Sequence, residues 1–163
     1  MELMLSNAGL QLQTLLTSPV FLACVFSWLC AQFVKTVIKL FSGSVHSLAE
    51  LFELLFWRTG GMPSSHSAIT ACICTIVGYR SGIDSDIFIL AIVFYLVTIR
   101  DAVGVRRANG MQARRLNEIG EILKEKGLYD EFTKLKEVNG HSPMEAFVGS
   151  LLGLFIGIAF CVL

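Results

Sequence analysis

From Leu3 to Val34 the chain carries no charged residue. That run exceeds the ~20 apolar residues needed to cross a bilayer as a helix. Three more charge-free stretches follow, Thr59–Tyr79, Ile87–Ile99 and Ala146–Leu163. They are shorter or partly polar, so spans built on them borrow flanking residues or thin the bilayer around them. Composition points the same way. Apolar residues make up 54% of the 163 and charged residues only 16%, against about 25% charged in a soluble domain. This apolar surplus excludes a disordered chain. Basic and acidic residues number 13 each, which leaves no excess of positive charge to neutralise a nucleic acid. No Lys or Arg precedes Lys35, so a cleaved signal peptide is not expected. The five cysteines, Cys24, Cys30, Cys72, Cys74 and Cys161, all sit in apolar runs. They read as apolar filler rather than a disulfide framework or a metal site.

Residues 1–17 mix polar and apolar side chains and suit an interface. Ser18-Pro19 reads as an N-cap followed by the first helical position, opening a span from Pro19 to about Phe41. Ser42-Gly43-Ser44 breaks it. Leu48–Phe56 is a short amphipathic piece, with Glu50 and Glu53 on one side. A turn over 58–63 leads into a second span from Ser64 to Tyr79, and a third runs from about Ile87 to Val103. Residues 104–140 are rich in Lys and Arg. Leu116, Ile119, Ile122 and Leu123 follow helical spacing, Gly127 interrupts, and Tyr129, Phe132 and Leu135 continue the stripe. The pattern predicts two surface helices there. A last span runs from Pro143 to Leu163. The hairpin of the second and third spans puts 42–63 and 104–140 on one side of the membrane. The positive-inside rule makes that side cytoplasmic, with both termini facing away.

The sharpest local feature is Gly60-Gly61-Met62-Pro63-Ser64-Ser65-His66-Ser67. Two glycines permit close backbone approach to a ligand. Ser64 or Ser65 caps a helix whose free N–H groups and positive dipole end form an anion site. His66, in its first turn, is placed to donate a proton to an oxygen leaving phosphorus. The bland alternative is a capped membrane helix with an interfacial histidine. Gly140-His141-Ser142-Pro143-Met144-Glu145 opens the last span in the same style. Ser142-x-x-Glu145 is a capping box with Pro at the first helical position. Equally, Glu145 is spaced to orient His141. Topology brings His141 to the same membrane face as His66, whereas His46 has no such company.

Cations surround these turns. Lys35 lies in an apolar run near the end of the first span, where snorkelling and function explain it equally well. Arg58 flanks the glycine turn. Arg106 and Arg107 are either a positive-inside signal or a bidentate phosphate clamp. Asp101 is spaced to pair with Arg100 or to hold one of these arginines. Gly149, Gly153 and Gly157 make a small-residue stripe suited to close helix packing, within the chain or in a homodimer.

Together these residues resemble the type 2 phosphatidic acid phosphatase superfamily, which includes vanadium haloperoxidases. More closely, they resemble its divergent branch of small bacterial and plant membrane proteins. Lys35, Thr59 to Ala68, Asp101 to Arg107 with Gln112-Ala113, and Gly140 to Glu145 with Gly149 match that branch in order. The resemblance implies a helical bundle and metal-independent hydrolysis of phosphomonoesters or pyrophosphates, with no cofactor. It makes His141 the nucleophile that becomes a phosphohistidine, Glu145 its orienter and His66 the general acid. Lys35, Arg58, Arg106 and Arg107 would hold the phosphoryl oxygens, helped by the Gly61 and Ser65 backbone. Four features differ from the superfamily pattern. A Ser-Arg pair before the nucleophile is replaced by Lys134 and Leu135. Its Asp is Glu145, and a Gly of its second motif is Ser65. Lys35 and Arg58 are also spaced further apart.

The expectation is therefore an all-α integral membrane helical bundle. It has about four main transmembrane helices, short interfacial helices and a cytoplasmic helical loop at about 104–140, all in one membrane domain spanning 1–163. Its expected substrate is a membrane lipid bearing a phosphate or pyrophosphate. The rival readings are a non-catalytic lipid-phosphate binder or transporter, and an adaptor that docks a partner through residues 111–138.

Overall fold

The computed structural model describes residues 2–43, 47, 52, 61–129, 131–137 and 140–163, with side chains from residue 7 onward. Among these residues the protein is helical, without strands. Its elements are α1 (Glu2–Leu16), α2 (Pro19–Phe41), α3 (Ser65–Ser81), α4 (Asp86–Arg100), a π-helical turn (Asp101–Val105), α5 (Arg106–Glu125) and α6 (Pro143–Val162). The Leu48–Phe56 piece, Arg58, Gly60 and His46 lie outside or largely outside the described residues.

Among the described residues, three helical stretches are long and apolar enough to cross a membrane: Pro19–Phe41, Asp86–Glu125 and Pro143–Val162. With 23 residues, α2 is ~35 Å long, enough to span. Pro19 occupies its first turn as expected, but the Ser18 side chain makes no capping bond. The second expected span, α3, is not among the three. It has 17 residues and is rich in Ser, Thr and Cys. Its surroundings explain this composition. It packs against α2, α4 and α6, and so sits at the centre of the bundle. A helix enclosed by other helices does not have to dissolve in lipid.

Small residues let the outer helices close on α3. Ala23, Ser27 and Ala31 recur every fourth residue along the buried side of α2, and Lys35 continues the row. On α6, Gly149 lies against the Ser64 carbonyl, Gly153 against the Ala68 carbonyl and Gly157 against Thr75 and the Cys72 carbonyl. A methyl group at Gly149 or Gly153 would collide with backbone. The glycine stripe that sequence left open to a homodimer is thus filled within the chain. Further from this end, Ala23, Cys72, Ile76 and Ile156 form the apolar core, flanked by Val20, Leu152 and Phe160. All five cysteines are free. Cys72 is wholly buried and its thiol faces the Ala23 carbonyl at 3.7 Å, consistent with packing.

The region 104–140 departs from expectation. The third span does not stop near Val103. Helix continues through the π turn into α5, from Asp86 to Glu125. A single surface helix then ends at Gly127, whose φ is +65°. The Gly127 N–H donates to Lys124 O at 3.0 Å and the Leu128 N–H to Leu123 O at 2.9 Å, a Schellman termination. The second surface helix does not form, and residues 132–137 have no helical structure. Asn117 explains why. Its Nδ2 donates to Leu135 O at 3.0 Å and to Glu137 Oε1 at 2.9 Å, while its Oδ1 accepts from the Leu135 N–H at 2.8 Å. The Phe132 ring fills the notch left by Gly120. The backbone groups a helix would use are committed to α5 instead.

If the α3–α6 seam holds the bundle together, Gly153→Ala should cost on the order of 1–3 kcal/mol through overpacking against fixed backbone. Gly157→Ala should cost less, because the Thr75 side chain is able to move. Thermal unfolding in detergent reads both; a Gly153→Ala midpoint equal to that of the unsubstituted protein would contradict the seam.

Candidate functional site

The two glycine-serine-histidine turns meet at one end of the bundle. Gly61, at φ +91°, turns the chain into α3. A Cβ there would lie 3.8 Å from the Lys35 side-chain stem, so this turn touches α2. Ser64 is the N-cap of α3 and is wholly buried. Its Oγ accepts from the Ser67 N–H at 3.4 Å and from the Ser67 hydroxyl at 3.0 Å. Its own N–H donates to Glu145 O at 2.9 Å. Ser64 is therefore consumed in building the site and has no backbone donor left for a ligand. The N–H groups of Ser65 and His66 have no partner among the described residues. They stand at the positive end of the α3 dipole, ready for an anion.

The α6 turn resolves an ambiguity that sequence left open. Ser142 Oγ accepts from the Glu145 N–H and Glu145 Oε2 accepts from the Ser142 N–H, both at 3.3 Å. This is the capping box. The same Oε2 lies 2.9 Å from His141 Nδ1. Capping and orienting are performed by one oxygen. In the neutral ring, a carboxylate at Nδ1 favours the tautomer with its proton on Nδ1, which leaves the lone pair on Nε2. His141 is 7% exposed. Its N–H donates to Ala102 O at 3.1 Å, which ties the start of α6 to the π turn.

Lys35 is 2% exposed. Its Nζ donates to Gln32 Oε1 at 2.9 Å, and Gln32 is itself buried. The lysine does not snorkel into solvent. It lies within electrostatic reach of Glu145. Partial desolvation and then the positive charges of Arg106, His141 and Lys35 hold the His66 imidazole below its ordinary pKa, with Asp101 opposing; the ring is partly open to solvent and has no hydrogen-bond partner among the described residues. The structure thus brings together His66, His141, Glu145, Lys35, Gly61, Ser65 and the π turn.

Other expected members are placed differently. Asp101 selects Arg106 rather than Arg100: Arg106 Nε donates to Asp101 Oδ2, with both side chains partly exposed. Arg107 is exposed, and its backbone lies against Gly140. Lys134 stands on the outer surface, where its Nζ donates to Glu121 Oε1 at 2.8 Å. It does not replace the missing superfamily arginine at the site. Sequence reasoning missed Gln32. The available signal was an amide three residues before Lys35 in a charge-free helix, a spacing that puts both on one face.

An all-α membrane bundle with paired imidazoles and buried positive charge at one end describes the class of protein. Over residues 16–156 the chain matches the family described as the Divergent PAP2 family, and it belongs to that family. It is 33% identical over 152 residues to the uncharacterized membrane protein YuiD of Bacillus subtilis (strain 168), covering 87% of this chain and 93% of that protein. No solved structure matches significantly.

A lysine kept in a buried polar pair should cost stability when only its partner is removed. Gln32→Leu leaves the ammonium unpaired and should destabilise by on the order of 1–3 kcal/mol. Adding Lys35→Met to Gln32→Leu should recover much of that loss, a coupling measurable as a double-mutant cycle. Additive losses in detergent melts would show that the pair is not coupled.

Proposed function

We propose that the protein is a membrane-embedded lipid phosphatase acting on a phosphate or pyrophosphate headgroup through a phosphohistidine at His141. The observation that carries this reading is the His141–Glu145 pair. It frees Nε2 in a nearly buried ring, beside a second imidazole and a buried lysine.

Nε2 of His141 attacks phosphorus in line with the ester oxygen. The P–O bond breaks as protonated His66 delivers its proton to the departing oxygen. Negative charge on the phosphoryl oxygens is met by Lys35, by Arg106 and by the N–H groups of Ser65 and His66. Glu145 stabilises the imidazolium character that grows on His141. Neutral His66 then takes a proton from water, water attacks the phosphohistidine, and phosphate leaves with His141 restored. Asp101 orients Arg106, while Arg107 extends the positive field around the entrance. The basic residues of 100–136 support a cytoplasmic orientation for this end of the bundle.

A second reading is a lipid-phosphate binder or transporter without chemistry, which needs only the anion-holding groups: Lys35, the free N–H groups at the start of α3, and Arg106 with its Asp101 partner.

Phosphate release from phosphatidate and from a polyprenyl diphosphate, measured with purified protein in detergent and EDTA, separates the two. The phosphatase reading expects release that falls at least a hundredfold in His141→Ala and in His66→Ala, with a smaller fall in Glu145→Gln. Release from neither lipid by folded protein would remove the enzyme. Undiminished binding of these lipids by His141→Ala would then support the binder.

A further inference from the structure

The outer wall of the bundle is not closed. Helices α4 and α6 both pack on α3 but hardly on each other. The gap between them is a lateral groove of about 360 Å³. Its floor is Ala71 and Thr75 of α3, and its walls include Ile92 and Leu96 of α4 and Leu151 and Leu154 of α6. Tyr95 Oη donates to Ser150 Oγ across it at 2.9 Å, and Ser150 Oγ donates to Ala146 O at 2.8 Å. The Thr75 hydroxyl donates to Ala71 O at 2.8 Å. These hydroxyls are therefore satisfied by the protein, and the groove offers a ligand mostly hydrocarbon surface.

We propose that this groove seats one hydrocarbon chain of the lipid whose phosphate is held between His66 and His141; the inference rests on the lipid-phosphate reading above. Three observations select that occupant. The first is position. Ala71 follows His66 by five residues, ~7.5 Å along α3, and Leu154 lies thirteen residues beyond His141, ~20 Å along α6. The groove therefore starts just below the site and runs away from it into the apolar part of the bundle. The second is continuity. The three helices that line it carry the site at their ends: His66 on α3, the Asp101–Arg106 turn after α4, and His141 before α6. The third is lining. The exposed wall is almost entirely hydrocarbon and its hydroxyls already have partners within the protein, which suits an acyl chain and offers nothing to a polar segment. The chain enters sideways from the bilayer, so the headgroup reaches His141 without the lipid leaving the membrane.

The full-length protein, reconstituted in phosphatidylcholine vesicles, is irradiated with a phosphatidate bearing a diazirine midway along one acyl chain. Adducts are mapped by mass spectrometry. The expected result is labelling concentrated on peptides 87–99 and 146–155. Excess phosphatidate should suppress it at least fivefold, and diacylglycerol, which lacks the phosphate, should not. Ile92→Trp, on the wall, and Ala71→Phe, on the floor, should each lower this labelling at least threefold. Ile92 is only partly buried, so Ile92→Trp tests the groove even if Ala71→Phe fails to fold. Even labelling of the lipid-facing sides of α2, α4 and α6 would overturn the proposal. So would labelling that diacylglycerol suppresses equally, or protein–protein adducts at Ile92 and Leu96 in place of lipid adducts. Phosphate release, assayed in parallel, keeps the two ideas apart. Groove labelling without release leaves the groove standing and removes the hydrolase. Equal release from short-chain and long-chain phosphates, with even labelling, removes the groove and leaves the hydrolase.

Discussion

The close approach of α6 to the backbone of α3 sets everything else in this bundle. Gly149 and Gly153 have no side chains, so α6 settles directly on the Ser64 and Ala68 carbonyls. Within lipid there is little hydrophobic force between helices, and contact at this range is what dispersion and fit can supply. The seam also sets register. With Gly149 on Ser64, the start of α6 arrives beside the start of α3, and the Ser64 N–H meets Glu145 O. Two helix N-termini, each with a histidine in or next to its first turn, are thereby held side by side. A one-turn slip along the seam would separate them by ~5 Å and dissolve the site.

Burial then gives the site its electrical character. Lys35 is drawn inside by the row of small residues below it on α2, and Gln32 makes its burial tolerable without cancelling its charge. An amide partner differs in kind from a carboxylate partner, because it leaves the ammonium's field available to an incoming anion. Lys35, at 2% exposure, is screened by water far less than the exposed arginines are. Glu145 is the counterweight. Its single oxygen closes the α6 cap and orients His141, so the stability of the helix start and the readiness of the imidazole are one interaction. The central helix shows the same economy: because α2, α4 and α6 shield most of it from lipid, α3 is free to carry buried hydroxyls and the Cys72 thiol, while His66 sits at its exposed start.

Much of this was legible from residue order. Charge-free runs marked α2, α4 and α6 because lipid filters for them, and Pro19 and Pro143 marked their starts. The capping box at Ser142 and Glu145 was visible because helix ends have fixed spacing rules. The arrival of His66 and His141 at one end followed from the topology of a hairpin; Lys35 was left open, because snorkelling explained its place in an apolar run as well as function did. The misses have physical causes. Tyr129, Phe132 and Leu135 have helical spacing by coincidence, and Asn117, a distant residue in sequence, claims the Leu135 backbone first. Val103 looked like a helix end because hydrophobicity stops there, yet hydrogen bonding continues through the π turn. Gln32 was overlooked because an uncharged amide gives no charge signal, and the choice between Ser64 and Ser65 as the cap was open because both are good capping residues one position apart.

The central claim is that two imidazoles converge on one anion. Protein labelled with ¹⁵N-histidine, titrated in detergent with inorganic vanadate, tests it most directly. The account predicts that the ring resonances of His66 and His141 shift together and saturate along a single binding curve, and that Lys35→Met weakens both equally. A response from only one ring, or two curves with unrelated midpoints, would contradict it.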